Sequence, residues 1–93
     1  MEKIKHKENQ TNGIFFLENE KGIVSELTYQ KEENVLVIDH TKTQKPYEGQ
    51  GYASVLLEHT VNYAREKGLK INPLCPFAEV KFDENESYQD IRA

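Results

Sequence analysis

The feature that most limits what this chain can fold into is a change of hydrophobic period at Gly49-Gln50-Gly51. Before it, apolar residues recur with the spacing of strands; after it, they follow the spacing of a helix. Upstream, Glu2 to Glu8 is short and charged, with Ile4 its only interior apolar residue, which predicts an edge strand. Ile14, Phe15, Phe16 and Leu17 form a compact apolar run, and Asn19-Glu20-Lys21-Gly22 reads as a turn. Ile23 to Gln30 alternates: Ile23, Ser25, Leu27 and Tyr29 on one face, Val24, Glu26 and Thr28 on the other. Glu32-Glu33-Asn34 is a second turn. Val35 to Ile38 is apolar at every position, as expected of a central strand covered on both sides. The short connections imply an antiparallel meander.

Downstream, Ala53, Leu56, Leu57, Thr60, Val61 and Ala64 keep the i, i+3, i+4, i+7 spacing of an amphipathic helix, and Gly68 is placed to end it. Leu69 to Pro73 reads as a short strand. A strand, a helical crossover and a strand predict a parallel pair, Val35–Asp39 beside Leu69–Asn72. Pro76 to about Asp83 should form a short helix, and the polar tail ENESYQDIRA at most one helical turn. The order β-β-β-β-α-β-α belongs to the α+β class. Its 93 residues suit one domain, 1–93, and a monomer is expected.

Composition narrows the function. A net charge of −4 argues against a nucleic-acid surface, which needs clustered Lys and Arg. No apolar run reaches the roughly 18–20 residues of a membrane span, and MEKIKHKENQ is no signal peptide, so no membrane partner and a cytoplasmic location are expected. One cysteine leaves no internal disulfide and no multi-cysteine zinc site, and His6, His40 and His59 lie far apart; no metal is expected.

Gly49-Gln50-Gly51-Tyr52-Ala53-Ser54 has the layout of a loop approaching an anion at a helix start. A dinucleotide, a nucleoside triphosphate, another cofactor's pyrophosphate, or merely a turn would each account for its glycines. The dinucleotide pattern wants an acid after the next strand, where the chain has Asn72-Pro73-Leu74; the P-loop pattern wants G-K-[ST], which is absent. A pyrophosphate site and a simple turn remain.

Gly51-Tyr52-Ala53 after a β meander resembles the coenzyme A signature [QR]-x-x-G-x-[GA] of the GCN5-related N-acetyltransferases. GLKINPLCPF resembles a small subfamily of about 90–100 residues with GLK-x-x-P-x-CPF after the same helix, and IDHTKT resembles its HT motif on the preceding strand. The resemblance covers about Val35 to Phe82. It implies a mostly antiparallel sheet with a splayed β4-α-β5 parallel pair, and an acetyltransferase that moves acetyl from acetyl-CoA to the amine of a small molecule or protein. It also implies pyrophosphate on the amides of Gly49, Gln50, Gly51, Tyr52, Ala53 and Ser54. The pantetheine would lie along Asp39, His40, Thr41 and Lys42, and the thioester near Cys75 and Phe77. One position departs: Glu48 stands where the signature has Gln or Arg, with Lys42 and Lys45 near to compensate. The N-terminal half reads as β throughout, without the helices that help form the acceptor site in larger members, which implies an open acceptor site. A non-catalytic CoA-binding module, a sensor or adaptor, is the alternative.

Cys75 precedes Pro76, a residue favoured at the first position of a helix, and so is a candidate N-cap; the helix dipole there favours a thiolate. A buried, inert thiol is the other reading. Two routes stay open: direct attack of the amine on the thioester, or transfer through Cys75. Either needs a base, for which His40 is the first candidate and Asp39 and Glu79 weaker ones. His59 should face solvent, and Phe77 and Phe82 should pack the short helix onto the sheet.

Overall fold

The computed structural model describes residues 3–93. Five strands form one sheet in chain order: β1 (Lys5–Glu8), β2 (Asn12–Asn19), β3 (Gly22–Glu32), β4 (Val35–Thr43) and β5 (Lys70–Pro73). β1 to β4 pair antiparallel, and β4 pairs with β5 in parallel from Val35↔Lys70 to Ile38↔Pro73. Helix α1 (Tyr52–Lys67) makes the crossover, and α2 (Pro76–Glu84) and a 3₁₀ segment (Glu86–Ile91) follow β5. The tail returns to the sheet, where the Ala93 N–H donates to the Ile71 carbonyl at 2.8 Å. The expected start of β1 at Glu2 lies outside the described residues.

The apolar stripe of α1 packs on one face of the sheet. Leu56, Leu57, Val61 and Ala64 share a core with Phe15, Leu27, Tyr29, Ile38 and Ile71, and α2 adds Ala78 and Phe82. Gly68 ends α1 in the left-handed region, φ +70°, its N–H bonded back to the last turn. Both helices lie on this face. The other face carries Lys7, Ile14, Phe16, Glu26 and Thr28 and, among the described residues, has no helix over it.

Two bulges alter the strand reading. Leu17 opposes Ser25 and Glu18 opposes Ile23, so Val24 is an extra residue. The strict alternation expected for Ile23–Gln30 fails there: Val24 is buried and Ile23 is 37% exposed. The second bulge lies in β4, where Thr28 opposes His40 and Tyr29 opposes Ile38, leaving Asp39 over. β4 also runs on to Thr43, beyond its apolar stretch, because it keeps β3 as a partner after β5 has left it.

Candidate active site

The site grows from that second bulge. The Ile38 carbonyl faces β5 and accepts from the Leu74 and Cys75 N–H groups, each at 3.0 Å. Past the bulge the direction is reversed: the Gln44 N–H donates to the Val24 carbonyl on β3 at 2.8 Å, so His40 and Lys42 also turn their backbone to β3. Thr41 and Thr43 therefore present backbone N–H and C=O groups to the edge that β5 has vacated. Among the described residues no strand pairs with this edge. The chain turns away at Pro73, and Leu74 and Cys75 cap the split.

A groove of about 460 Å³ opens beside this edge. Thr41, Lys42 and Thr43 form one wall, Gly49, Gly51, Tyr52, Ala53 and Ser54 another, and Phe77 and Lys81 of α2 a third. Gly51 is the N-cap of α1 at φ +84° and offers no side-chain cap, so the first-turn amides of this sixteen-residue helix point into the groove without a protein partner from that cap. Gly49 is also left-handed, φ +78°, and a Cβ built on either glycine would meet nothing within 4 Å. Backbone geometry, not crowding by protein, requires glycine at both positions. Unfilled space in front of uncapped amides is what a phosphate needs, so the residues present fit a pyrophosphate. A 3₁₀ turn, Lys45–Tyr47, leads into the loop, and the Tyr47 hydroxyl is fixed by Asn19 Nδ2 at 2.7 Å.

The expected site residues divide. Thr41, Lys42, Gly49, Gly51, Tyr52, Ala53, Ser54 and Phe77 line the groove. Gln50 is exposed between the two glycines, outside the lining. Asp39 and His40 oppose Thr28 and stand on the helix-free face, away from the groove. Cys75 caps α2: its Sγ accepts from the Ala78 N–H at 3.3 Å and lies 3.8 Å from Thr41 Oγ1. The thiol is 5% exposed and belongs to the core, reaching the groove only through its neighbours Thr41 and Phe77. Glu79 is exposed on α2, as is His59 on α1, the latter ring edge-on to Phe15 with centroids 5.1 Å apart. Phe82 is fully buried, whereas Phe77 is half-buried with one side to the groove.

The sequence reading missed Thr43, Tyr47 and Lys81. Lys81 lies one turn beyond Phe77, its Nζ 5.8 Å from that ring's centre and 3.9 Å from Glu84. Its spacing from Phe77 puts both on one helix face, but nothing local shows that this face meets the glycine loop. Glu48, Lys42 and Lys81 all line the groove, whereas Lys45, the other expected counter-charge, does not.

Asp39 is held in place by Thr28 Oγ1 at 2.6 Å and Gln30 Nε2 at 3.1 Å. Burial alone would raise its carboxyl. The hydrogen bonds from Thr28, Gln30 and its own amide, with His40 nearby, outweigh burial and hold it below the usual value of 3.8.

A meander split from a parallel strand, with a helix N-terminus facing the split, defines an α+β domain with an open groove between two strands. The chain belongs to the GCN5-related N-acetyltransferase family, whose model matches residues 14–91. The solution structure of a GCN5-like protein from Staphylococcus aureus is 33% identical over 96% of this chain and 87% of that one, with a TM-score of 0.74. The ribosomal-protein-S18-alanine N-acetyltransferase of Escherichia coli shares the fold at 16% identity and a TM-score of 0.66. That match covers 83% of this chain and 52% of the enzyme, so the chain spans about half the enzyme's length. A ribosomal-protein-alanine N-acetyltransferase from Brucella melitensis has a TM-score of 0.61 at 16% identity, over 91% and 64% of the two chains. No curated protein matches the chain. Acetyl transfer is the activity that family membership assigns, and the family generally draws the acetyl group from acetyl-CoA. No helix among the described residues is long and apolar enough to cross a membrane.

Proposed function

We propose that residues 1–93 act as a single-domain, monomeric, cytoplasmic acetyl-CoA-dependent N-acetyltransferase whose cofactor lies in the Thr41–Ser54–Phe77 groove. The observation that carries this reading is the coincidence of two open hydrogen-bonding surfaces on one groove. Uncapped amides of α1 face it at one end, and the vacated edge of Thr41–Thr43 lies along it. The first suits the pyrophosphate and the second the amides of pantetheine. Glu48 is exposed and can turn from the phosphates, while Lys42 and Lys81 supply opposite charge.

Acetyl-CoA held in this groove would supply an activated carbonyl: a neutral amine would form the C–N bond as the C–S bond breaks, and the proton lost from the acylated nitrogen would pass to the departing thiolate, so that CoA leaves as the thiol. The Thr41 N–H, on the open edge, is oriented to donate to the carbonyl oxygen as charge gathers there. His40, exposed on the opposite face beside Asp39, takes the proton that the ammonium gives up. Direct attack is favoured over passage through the thiol. Cys75 Sγ is buried, already accepts the Ala78 N–H, and among the described residues has no imidazole or carboxylate as a hydrogen-bond partner.

The test is an NMR titration with acetyl-CoA, CoA and NAD. Amide shifts at Gly49–Ser54 and Thr41–Thr43 with the first two alone are the expected result. An equal response to NAD, or none to CoA, would return the loop to a simple turn. Turnover with an amine library then separates an enzyme from a CoA-binding module.

A further inference from the structure

Ser25 and Thr60 are both fully buried, and their hydroxyls are satisfied differently. Thr60 donates to the Leu56 carbonyl one turn back in α1, at 2.8 Å. Ser25 of β3 has a single side-chain partner among the described residues: its Oγ lies 2.8 Å from Thr43 Oγ1. Register explains the meeting. The Gln44 N–H donates to the Val24 carbonyl, so Ser25 and Thr43 form a pair without backbone bonds between them, the arrangement that brings opposed side chains closest. Ser25 shares its side of the sheet with Leu17 opposite and Leu27 two residues on, both in the core. Thr43 is half-buried and lines the cofactor groove.

The surroundings of the two hydroxyls decide which of them donates. Each has one proton to give and two lone pairs to accept with. If Thr43 donated, the Ser25 proton would be left in the core without an acceptor, at the cost of desolvating that group. With Ser25 as the donor both oxygens are satisfied, and the Thr43 proton is left over. That proton belongs to a residue on the groove wall, the same residue whose backbone N–H and C=O face the vacated edge. The bond from Ser25 occupies one side of the Thr43 oxygen and so restricts the directions its proton can take.

We propose that the Thr43 hydroxyl, oriented by Ser25, donates a hydrogen bond to an acceptor oxygen of the ligand in this groove, and that Ser25 is a positioning residue which itself does not touch the ligand. This rests on the cofactor reading and adds to it a side-chain contact, separate from the open backbone edge. Thr43 stands between Thr41 and the 3₁₀ turn that leads to the glycine loop, so two sources of that oxygen fit its place: an amide carbonyl of pantetheine and the pyrophosphate.

The experiment is a calorimetric titration with CoA of wild type, Thr43→Val, Thr43→Ser, Ser25→Ala and the double variant, each checked by a thermal melt. Thr43→Val keeps the shape and removes the donor; it should weaken CoA binding about fivefold, whereas Thr43→Ser should stay within about twofold of wild type. Ser25→Ala should weaken binding about threefold on its own and not at all in the Thr43→Val background, because it acts only through the Thr43 hydroxyl. Thr43→Val also orphans the buried Ser25 hydroxyl. The double variant removes both partners, so it keeps the loss of the donor measurable even where the single variant fails to fold, and it too should bind about fivefold more weakly. ADP, which carries the pyrophosphate without pantetheine, separates the two sources. An equal loss of ADP affinity in the double variant puts the oxygen on the phosphates, and unchanged ADP affinity puts it on pantetheine. CoA bound by the double variant as tightly as by wild type, or a Ser25→Ala loss that is the same in both backgrounds, would overturn the proposal. Wild type that binds no CoA would strike the cofactor reading beneath it, and the proposal with it.

Discussion

The two halves of β4 differ in what they are for. Val35 to Ile38 pairs with β3 on one side and β5 on the other, and Leu36 and Ile38 are buried in the core. Asp39 to Thr43 pairs with β3 alone, and its side chains are exposed or half-buried. A single bulge residue separates the halves. It reverses which backbone groups face the vacated edge and puts a carboxylate on one face and a groove on the other. The buried core thus lies where the strand is paired twice, and the open groove where it is paired once.

The largest effect should fall on the doubly paired half. Ile38→Ala removes a fully buried side chain and should cost about 3 kcal/mol of stability, read by urea denaturation. Thr41→Ala, three residues on, should cost about 1 kcal/mol or less. Equal losses would break the comparison.

Next comes the glycine loop. Gly51→Val forces a branched side chain into a left-handed position, φ +84°, and fills the approach to the amides. CoA binding by calorimetry should weaken at least tenfold, about 1.4 kcal/mol. Unchanged affinity in a folded variant would show that the open half does not carry the site.

Cys75→Ala tests the seam between the halves. Loss of the N-cap and of a buried group should lower stability by about 1 kcal/mol. Most transfer activity should remain, with no hydroxylamine-sensitive acetyl adduct in the wild type by intact mass. Abolished transfer together with such an adduct would establish the thiol route.

A smaller change is expected from Lys81→Gln: about threefold weaker CoA binding, or ~0.6 kcal/mol, with a shallower salt dependence. The smallest effect belongs to the far edge of the sheet. His6 Nε2 lies 2.6 Å from the Tyr29 hydroxyl, and its ring stacks on Phe15 with centroids 4.1 Å apart. Burial lowers its affinity for a proton, ahead of the opposing pull of Glu8 and the repulsion of His59 and Lys31. The unfolded chain then binds the proton more readily, so this part of the stability is present above pH 6.5 and is lost as pH falls from there. Thermal melts from pH 7 to 5 should show a modest decline that shrinks in His6→Asn. An unaltered decline would place its source elsewhere than His6; Glu8, whose carboxyl is held low chiefly by the hydrogen bond from Lys31, loses its contribution only as pH falls below the usual 4.5.

Much of this was legible locally. The change of period at Gly49–Gly51 placed α1, Gly68 its end, Pro76 the start of α2 and Cys75 its cap. Periods and caps depend on near neighbours in the chain, so the sequence alone determined the elements, their α+β order and the glycine approach to a helix N-terminus. The bulges at Val24 and Asp39 were not legible, because a bulge is a count of residues against a partner strand far along the chain. The β4 bulge decided that His40 and Cys75 stand on opposite faces, although their motifs had suggested one site. Tertiary packing also decided that Lys81 of α2 faces the glycine loop. Which side chains share a space is set by distant segments meeting across the sheet, and no local pattern encodes that meeting.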